Sequence, residues 1–149
     1  MTLNILITDT DVEKKNPCYL GRYLSLPWSR TLLEIADMKE VPPENRIWLI
    51  TAFLPDKENR LFAVWCARNA LIFMANPDPR SVNAIDVAEQ FAHGNATAEE
   101  LDAAWDAARD AWGAAWDAAR DAAWGAARGE QLKYLHDLLY KNEERLSEL

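Results

Sequence analysis

Few residues in this chain combine a type and a spacing that could support catalysis. Histidine occurs only at His93 and His136 and cysteine only at Cys18 and Cys66, without the clustered spacing that a metal site requires. Adjacent carboxylates such as Glu99 and Glu100 diverge on a helix and make a poor acid–base pair. The sequence contains neither a phosphate-binding glycine loop nor a nucleophile elbow. We therefore expect no catalytic residues, no metal ligands and no cofactor, and a protein that is not an enzyme.

The most regular spacing in the chain belongs to an alanine-rich repeat between Leu101 and Arg128. The repeat reads LDAAWDAARDAWG, then AAWDAARDAAWG, then AAR; Trp105 and Trp116 stand eleven residues apart, as do Asp106 and Asp117. Eleven residues make about three helical turns, so equivalent positions stay on one face of an α-helix. We predict one long helix over about 98–128 whose apolar, inward edge is formed by Leu101, Trp105, Trp112, Trp116 and Ala123.

The second edge of this predicted helix is acidic and leaves two interpretations open. Aspartates four residues apart on a helix repel one another, whereas aspartate and arginine three residues apart attract. The row of aspartates on this edge is therefore either a solvated face or a surface that complements lysines and arginines of a partner. Trp124 follows Trp112 by twelve residues, which rotates it away from the apolar edge, and exposed tryptophan is a frequent anchor of interfaces. The candidate partner-binding residues are Asp106, Asp110, Asp117, Asp121 and Trp124.

Composition and charge narrow the class of protein. The 149 residues suit one domain, and a hydrophobic fraction of 50% is enough to form a core. A net charge of −8 argues against direct binding of nucleic acid or anionic membranes and favours a protein partner with a basic surface. The chain has no apolar run near the roughly 20 residues of a membrane span, and its N-terminus lacks the features of a signal peptide. We expect a cytoplasmic protein of a bacterial cell or of a phage-infected host.

Periodicity and turn residues predict a single all-α domain over 1–149. Its architecture is an antiparallel array of about five to six helices joined by short connections. We predict an irregular segment over 1–28, in which Leu3–Thr8 forms a short strand or arm. Helical hairpins follow over 29–96, with helical signals from Ser29, then the repeat helix over 97–129. A break at Gly129 precedes a terminal helix within 130–149.

Local signals predict where the helices begin and end. A threonine followed three residues later by glutamate is typical of a capping box, and proline is favoured in the first turn. Helices are predicted over about 44–54, 57–75 and 80–92. The signals are Thr31 with Glu34, Pro43, Asp56, Asp78 with Pro79, Gly94, and Thr97 with Glu100.

Apolar positions at helical spacing predict which side chains face the core. They are Ile47, Ile50, Phe53 and Leu54; Leu61, Val64, Trp65, Leu71 and Ile72; Val82, Ile85, Ala88 and Phe91; and Leu132, Leu135, Leu138, Leu139 and Leu146.

Three consecutive stretches resemble the immunity proteins of bacterial polymorphic toxin systems and related proteins of phages and mobile elements. They are LFAVWCARNAL at Leu61–Leu71, NPDPRSVNAIDVAEQFAHGNATAEEL at Asn76–Leu101, and the repeat. Those families have a helix rich in leucine, alanine, tryptophan and cysteine, and a turn like Asp78-Pro79-Arg80. A helix end like Ala92-His93-Gly94 and an alanine-rich helix follow. The resemblance covers about residues 50–128.

The resemblance implies a non-enzymatic role in which the chain binds a harmful or defensive enzyme stoichiometrically. Our first hypothesis is an acidic helical inhibitor that neutralises a nucleic-acid-acting enzyme by occupying its basic surface, through mimicry of nucleic acid. The target would be a bacterial toxin or, for a phage-encoded protein, a defence nuclease such as a CRISPR effector. The second hypothesis is a structural or adaptor module that forms a homo-oligomer through the repeat helix.

Overall fold

A computed structural model describes residues 2–15, 28–72, 74, 76–108 and 124–148. These residues are mostly helical, with one short two-stranded sheet near the N-terminus, which confirms the all-α class and the short N-terminal strand. The chain forms two compact units. We name Met1–Leu54 with Ala126–Leu149 the terminal unit, and Pro55–Gly125 the central unit.

The sheet of the terminal unit pairs β1 (Leu6–Thr8) with β2 (Ser29–Thr31). The strands are antiparallel, with Leu6 opposite Thr31. Alternation places Ile7 in the core at 2% exposure, whereas Leu6 is 64% exposed. Of the two predictions for Leu3–Thr8, the short strand is confirmed over Leu6–Thr8, and residues 3–5 lie before it. The helical reading from Ser29 is wrong, because three residues pair with β1 before the next helix begins.

Two short helices follow the strands directly, and each begins with a capping box. In α1 (Asp9–Lys14) the Thr8 hydroxyl accepts from the Asp11 N–H, and the Asp11 carboxylate accepts from the Thr8 N–H. The same reciprocal pair links Thr31 to the glutamate three residues later at the start of α2 (Leu32–Asp37), as predicted. Helix α1 was not predicted, although the spacing of Thr8 and Asp11 at its start is a capping signal.

Helices α3 (Pro43–Phe53) and α7 (Trp124–Ser147) contribute to the core of the terminal unit. Proline occupies the first helical position of α3, as predicted. Leu135 and Leu139 lie one turn apart on α7 and are fully buried. The largest fully buried side chains of the described residues all belong to this unit: Ile7, Leu32, Ile35, Val41, Leu49, Ile50, Leu135 and Leu139.

Helix α7 continues through Gly129, which corrects the predicted break at that residue. A β-carbon on Gly129 would meet nothing within 4 Å, so no close contact requires glycine there. Glycine inside a helix costs about 1 kcal/mol relative to alanine. Burial of a leucine side chain contributes about 1.5–3 kcal/mol, so the packing of Leu135 and Leu139 outweighs that cost.

Hydrogen bonds join the N-terminal segment to α7 and α2. The Leu3 N–H donates to Oδ1 of the buried Asn142 over 2.7 Å, and the Asn4 amide donates to the Glu143 carboxylate. Oδ1 of Asn4 also accepts from the Leu33 N–H over 2.7 Å. The first residues of the chain are thus held by partners at its far end.

The central unit contains α4 (Asp56–Ile72), α5 (Pro79–Ala92) and α6, which is helical over 98–108. Asp78 caps α5, Pro79 is its first residue, and Gly94 beyond its end has a φ of 78°, as predicted. Two predicted inward positions are wrong: Ile72 is 74% exposed and Val82 is 37% exposed. Ser81 and Ala84 are buried on α5 in their place.

The N-cap of α5 makes the folding stability of the protein depend on pH. The Arg80 guanidinium donates to the Asp78 carboxylate over 2.7 Å and the Arg80 N–H over 2.8 Å, and these bonds hold the pKa of Asp78 at about 2. A carboxyl group whose pKa is depressed by folding stabilises the fold above its ordinary pKa of 3.8. That contribution is lost as the pH falls towards 2.

We expect Asp78→Asn to lower the thermal unfolding midpoint at neutral pH. The difference from the wild type should close between about pH 4 and pH 2, because the wild-type carboxylate becomes protonated there. Circular dichroism melts of both proteins at a series of pH values measure the difference. A gap that stays constant across this range would contradict the assignment.

Candidate partner-binding site

Helix α6 begins with a cluster of carboxylates. The Thr97 N–H donates to the Glu100 carboxylate over 2.8 Å, and the Glu100 N–H donates to the Thr97 hydroxyl over 3.2 Å, which confirms the predicted capping box. Hydrogen bonds from its own N–H and from the Thr97 side chain lower the pKa of Glu99. Acidic groups in a first helical turn also interact favourably with the helix dipole.

The described part of α6 presents an acidic surface. Residues 97–108 include no lysine or arginine, and their four carboxylates are all exposed: Glu99, Glu100, Asp102 and Asp106. We name these four residues the α6 carboxylates. Of the predicted acidic row, Asp106 is thus placed at the surface. Asp110, Asp117, Asp121 and the side chain of Trp124 lie outside the described residues.

Trp105 of α6 does not face the core, which corrects its predicted inward position; Trp112, Trp116 and Ala123 of the predicted apolar edge lie outside the described residues. Trp105 is 47% exposed, whereas Ala104 and Ala108 are 6% and 0% exposed. The two alanines pack against Ala84 of α5, beside Val87. Small side chains at such a contact let two helices approach closely, and this contact decides which face of α6 turns inward.

A matched pair of leucine substitutions tests this assignment of faces. Ala104→Leu is expected to destabilise the protein by at least about 1 kcal/mol, because the added methyl groups must enter the contact between α5 and α6. Ala103→Leu, at an exposed neighbouring position, should leave stability within about 0.5 kcal/mol of the wild type. Urea unfolding of both variants measures the difference. Equal effects would show that the face is assigned wrongly.

An apolar groove lies beside this acidic surface, within the central unit. Its cavity volume is about 210 Å³. Trp105 contributes to its wall, so the exposed indole belongs to a concave surface. We name it the central groove; its lining comprises Arg60, Ala63, Val64 and Ala67 of α4, Ala84, Ile85, Ala88 and Phe91 of α5, and Leu101 and Trp105 of α6.

Arg60 is the charged side chain among the groove residues. Its guanidinium lies over the Phe91 ring at 4.9 Å from the centroid, a cation–π contact between α4 and α5. A second arginine, Arg68, donates to Asp86 over 2.9 Å and to Glu89 over 2.5 Å. The bond to Glu89 is the main cause that raises the pKa of Arg68. These exposed contacts are individually weak, yet they link the two helices that form the floor of the groove.

Sequence reasoning missed the groove, although a signal for it was present. Ala63 and Ala67 lie four residues apart on α4, and Ala84 and Ala88 repeat that spacing on α5. Small residues at this spacing lie on one face of each helix, where they leave space that larger side chains would fill. Only the structure shows that Trp105 lies beside both rows.

Comparison of the chain with models of protein families, with curated proteins and with solved structures gives no match. None of the helices in the described ranges has the length and hydropathy of a membrane span. The same ranges contain no group of three histidine, cysteine, aspartate or glutamate side chains that could hold a metal ion.

Proposed function

We propose that this chain is a non-enzymatic acidic inhibitor that binds a nucleic-acid-acting enzyme and blocks its basic surface. The observation that carries the proposal is the exposed acidic surface of α6 beside a half-exposed tryptophan. Charged groups steer a partner and fix its orientation, while a tryptophan can anchor the contact. The biological setting would be toxin immunity or phage defence evasion, including inhibition of a CRISPR nuclease.

Charge complementarity supports a basic protein as the partner. The net charge of −8 repels nucleic acid itself but attracts a surface built to contact phosphates. Carboxylates one helical turn apart, such as Asp102 and Asp106, are spaced by about 5–6 Å, and this row could occupy several lysines or arginines at once. Binding in this manner would compete with the nucleic-acid substrate of the enzyme.

Titration of the chain against a nuclease encoded by an adjacent gene tests the proposal. Cleavage of a fluorescent DNA or RNA reporter is expected to stop at a fixed molar ratio of chain to enzyme. Inhibition should weaken as salt is raised, because exposed charges are screened. An excess of reporter should restore cleavage, because substrate and inhibitor compete for the same surface. Undiminished cleavage at saturating chain, or inhibition that substrate cannot relieve, would contradict this mechanism.

The exposure of Trp105 also favours the second candidate function, a module that self-associates through α6. An exposed indole beside an apolar groove can pack against a second copy. Light scattering of the purified chain at micromolar concentrations separates the two candidates. A strictly monomeric chain would rule out self-association and leave the inhibitor proposal in place.

A further inference from the structure

We propose that the central groove binds one large apolar side chain carried by an amphipathic, lysine- or arginine-rich helix of the partner. The inference deepens the proposed function, on which it rests for the basic character of the partner. It adds the recognition mode, in which one aromatic anchor enters the groove while flanking cations contact the α6 carboxylates.

The size of the cavity fits one aromatic ring. An apolar cavity of about 150 Å³ is enough to bind benzene, and the groove has a volume of about 210 Å³. Its floor is formed by alanines and short aliphatic side chains that leave the space open. Phe91 and Trp105 place rings at its walls, and aromatic pairs prefer edge-to-face or offset arrangements that a third ring can complete.

The shape and the exposure of the groove favour a helix as the element that carries the ring. Amphipathic helices commonly bind by laying an apolar face into a groove between helices. The exposed Ala63 on α4 and the half-buried Ala88 on α5 allow a helix backbone to come close, because their methyl groups project little from these helices. Trp105, 47% exposed at the wall, supplies the large surface that is typical of an interface hot spot.

Charge on the two sides of the groove determines the chemistry of that helix. On α6, Asp102 follows the lining residue Leu101, and Asp106 follows Trp105, so exposed carboxylates border this side. On α4, the lining cation Arg60 borders the other side. The groove is thus acidic on its α6 side and basic on its α4 side. A helix with cations on one side of its anchor residue and neutral residues on the other side would fit this charge distribution in a single orientation.

A synthetic alanine–lysine peptide of about 18 residues, long enough to form a helix, is a direct probe. It carries one central 4-fluorophenylalanine and is titrated with the full chain under observation of the fluorine NMR signal. Trp105→Ala removes a wall of the cavity, and Ala63→Leu fills it from an exposed position. Trp48→Ala is the matched control, because Trp48 is 36% exposed in the terminal unit.

We expect Trp105→Ala and Ala63→Leu to weaken peptide binding by at least about tenfold, and Trp48→Ala by less than about twofold. In competition, a peptide with alanine in place of the anchor should displace the probe poorly, as should one with glutamate in place of lysine. No binding by the wild type, equal competition by the glutamate peptide, or unchanged affinity in Ala63→Leu would overturn the inference.

The same variants separate this inference from the proposed function. If the nuclease remains fully inhibited by Ala63→Leu and Trp105→Ala, the recognition mode is wrong and the inhibitor proposal survives. If the anchored basic peptide binds as expected but no nuclease is inhibited, the groove is confirmed as a helix-binding site and the proposed function fails.

Discussion

Reversing Asp106, Asp110, Asp117 and Asp121 to lysine is expected to lower the affinity for the basic target by at least about 100-fold. Each replacement adds two positive charges, so the net charge changes from −8 to zero. Like charges facing each other across an interface cost several kcal/mol, and each 1.4 kcal/mol is a factor of ten in affinity. The dissociation constant, measured by calorimetry at two salt concentrations, should change most at the lower one.

A second quadruple variant controls for the change in net charge. It reverses four exposed carboxylates in α7 and directly after it to lysine and therefore has the same total charge: Glu130, Asp137, Glu144 and Glu148. We expect it to keep most of the affinity, because it leaves α6 and the repeat intact. Far-UV circular dichroism should be unchanged in the repeat variant, since lysine is a good helix former. Equal losses in the two variants would show that overall charge, not the aspartate row, drives binding.

Replacing Leu135 by alanine is expected to destabilise the protein by about 2–5 kcal/mol. Leu135 is fully buried in the terminal unit, so truncation removes burial and leaves a cavity. Natural domains are stable by only about 5–15 kcal/mol, so this loss is a large part of the total. Urea unfolding followed by circular dichroism measures it as a lower midpoint.

Leu138→Ala is the matched control for this prediction, because Leu138 is a neighbouring leucine on α7 that is only partly buried. Its loss should be clearly smaller than that of Leu135→Ala, since fewer methyl contacts are removed. Similar midpoints for the two variants would show that α7 presents a different face to the core.

Helix starts were predictable from the sequence because caps are local. The hydroxyl of Thr31 needs only the N–H three residues later, and the same holds for Thr97. Asp78 and Pro79 also act within one turn of the chain. These interactions do not depend on what a helix packs against, so the caps predicted from the sequence are also formed in the folded protein.

The faces of the helices were less predictable because burial depends on the partner. The large apolar residues of the repeat lie on one face of the predicted helix, which favours Trp105 as a core residue. In the structure, however, Ala104 and Ala108 of α6 face α5. Close packing of two helices through small side chains can stabilise the fold more than full burial of an indole does, when that indole is partly covered on a groove wall. For the same reason Val82 faces outward while Ala84 is buried.

The candidate site was predictable in its charge and not in its shape. The acidic character of the repeat follows from composition, and the exposure of Asp106 agrees with it. The central groove requires Arg60, Phe91 and Trp105 to meet, although they come from three helices. The spacing of residues along one helix does not show which residues of other helices lie beside them.

The hydrogen bond between Leu3 and Asn142 has a consequence for biosynthesis. It joins residues 139 positions apart, whereas the central unit is one continuous stretch that a ribosome releases earlier. At about 5–20 residues per second, Leu3 is synthesised about 7–28 s before Asn142. During that delay this hydrogen bond cannot form, so we expect the segment around Leu3 to take its final place only after α7 has left the ribosome.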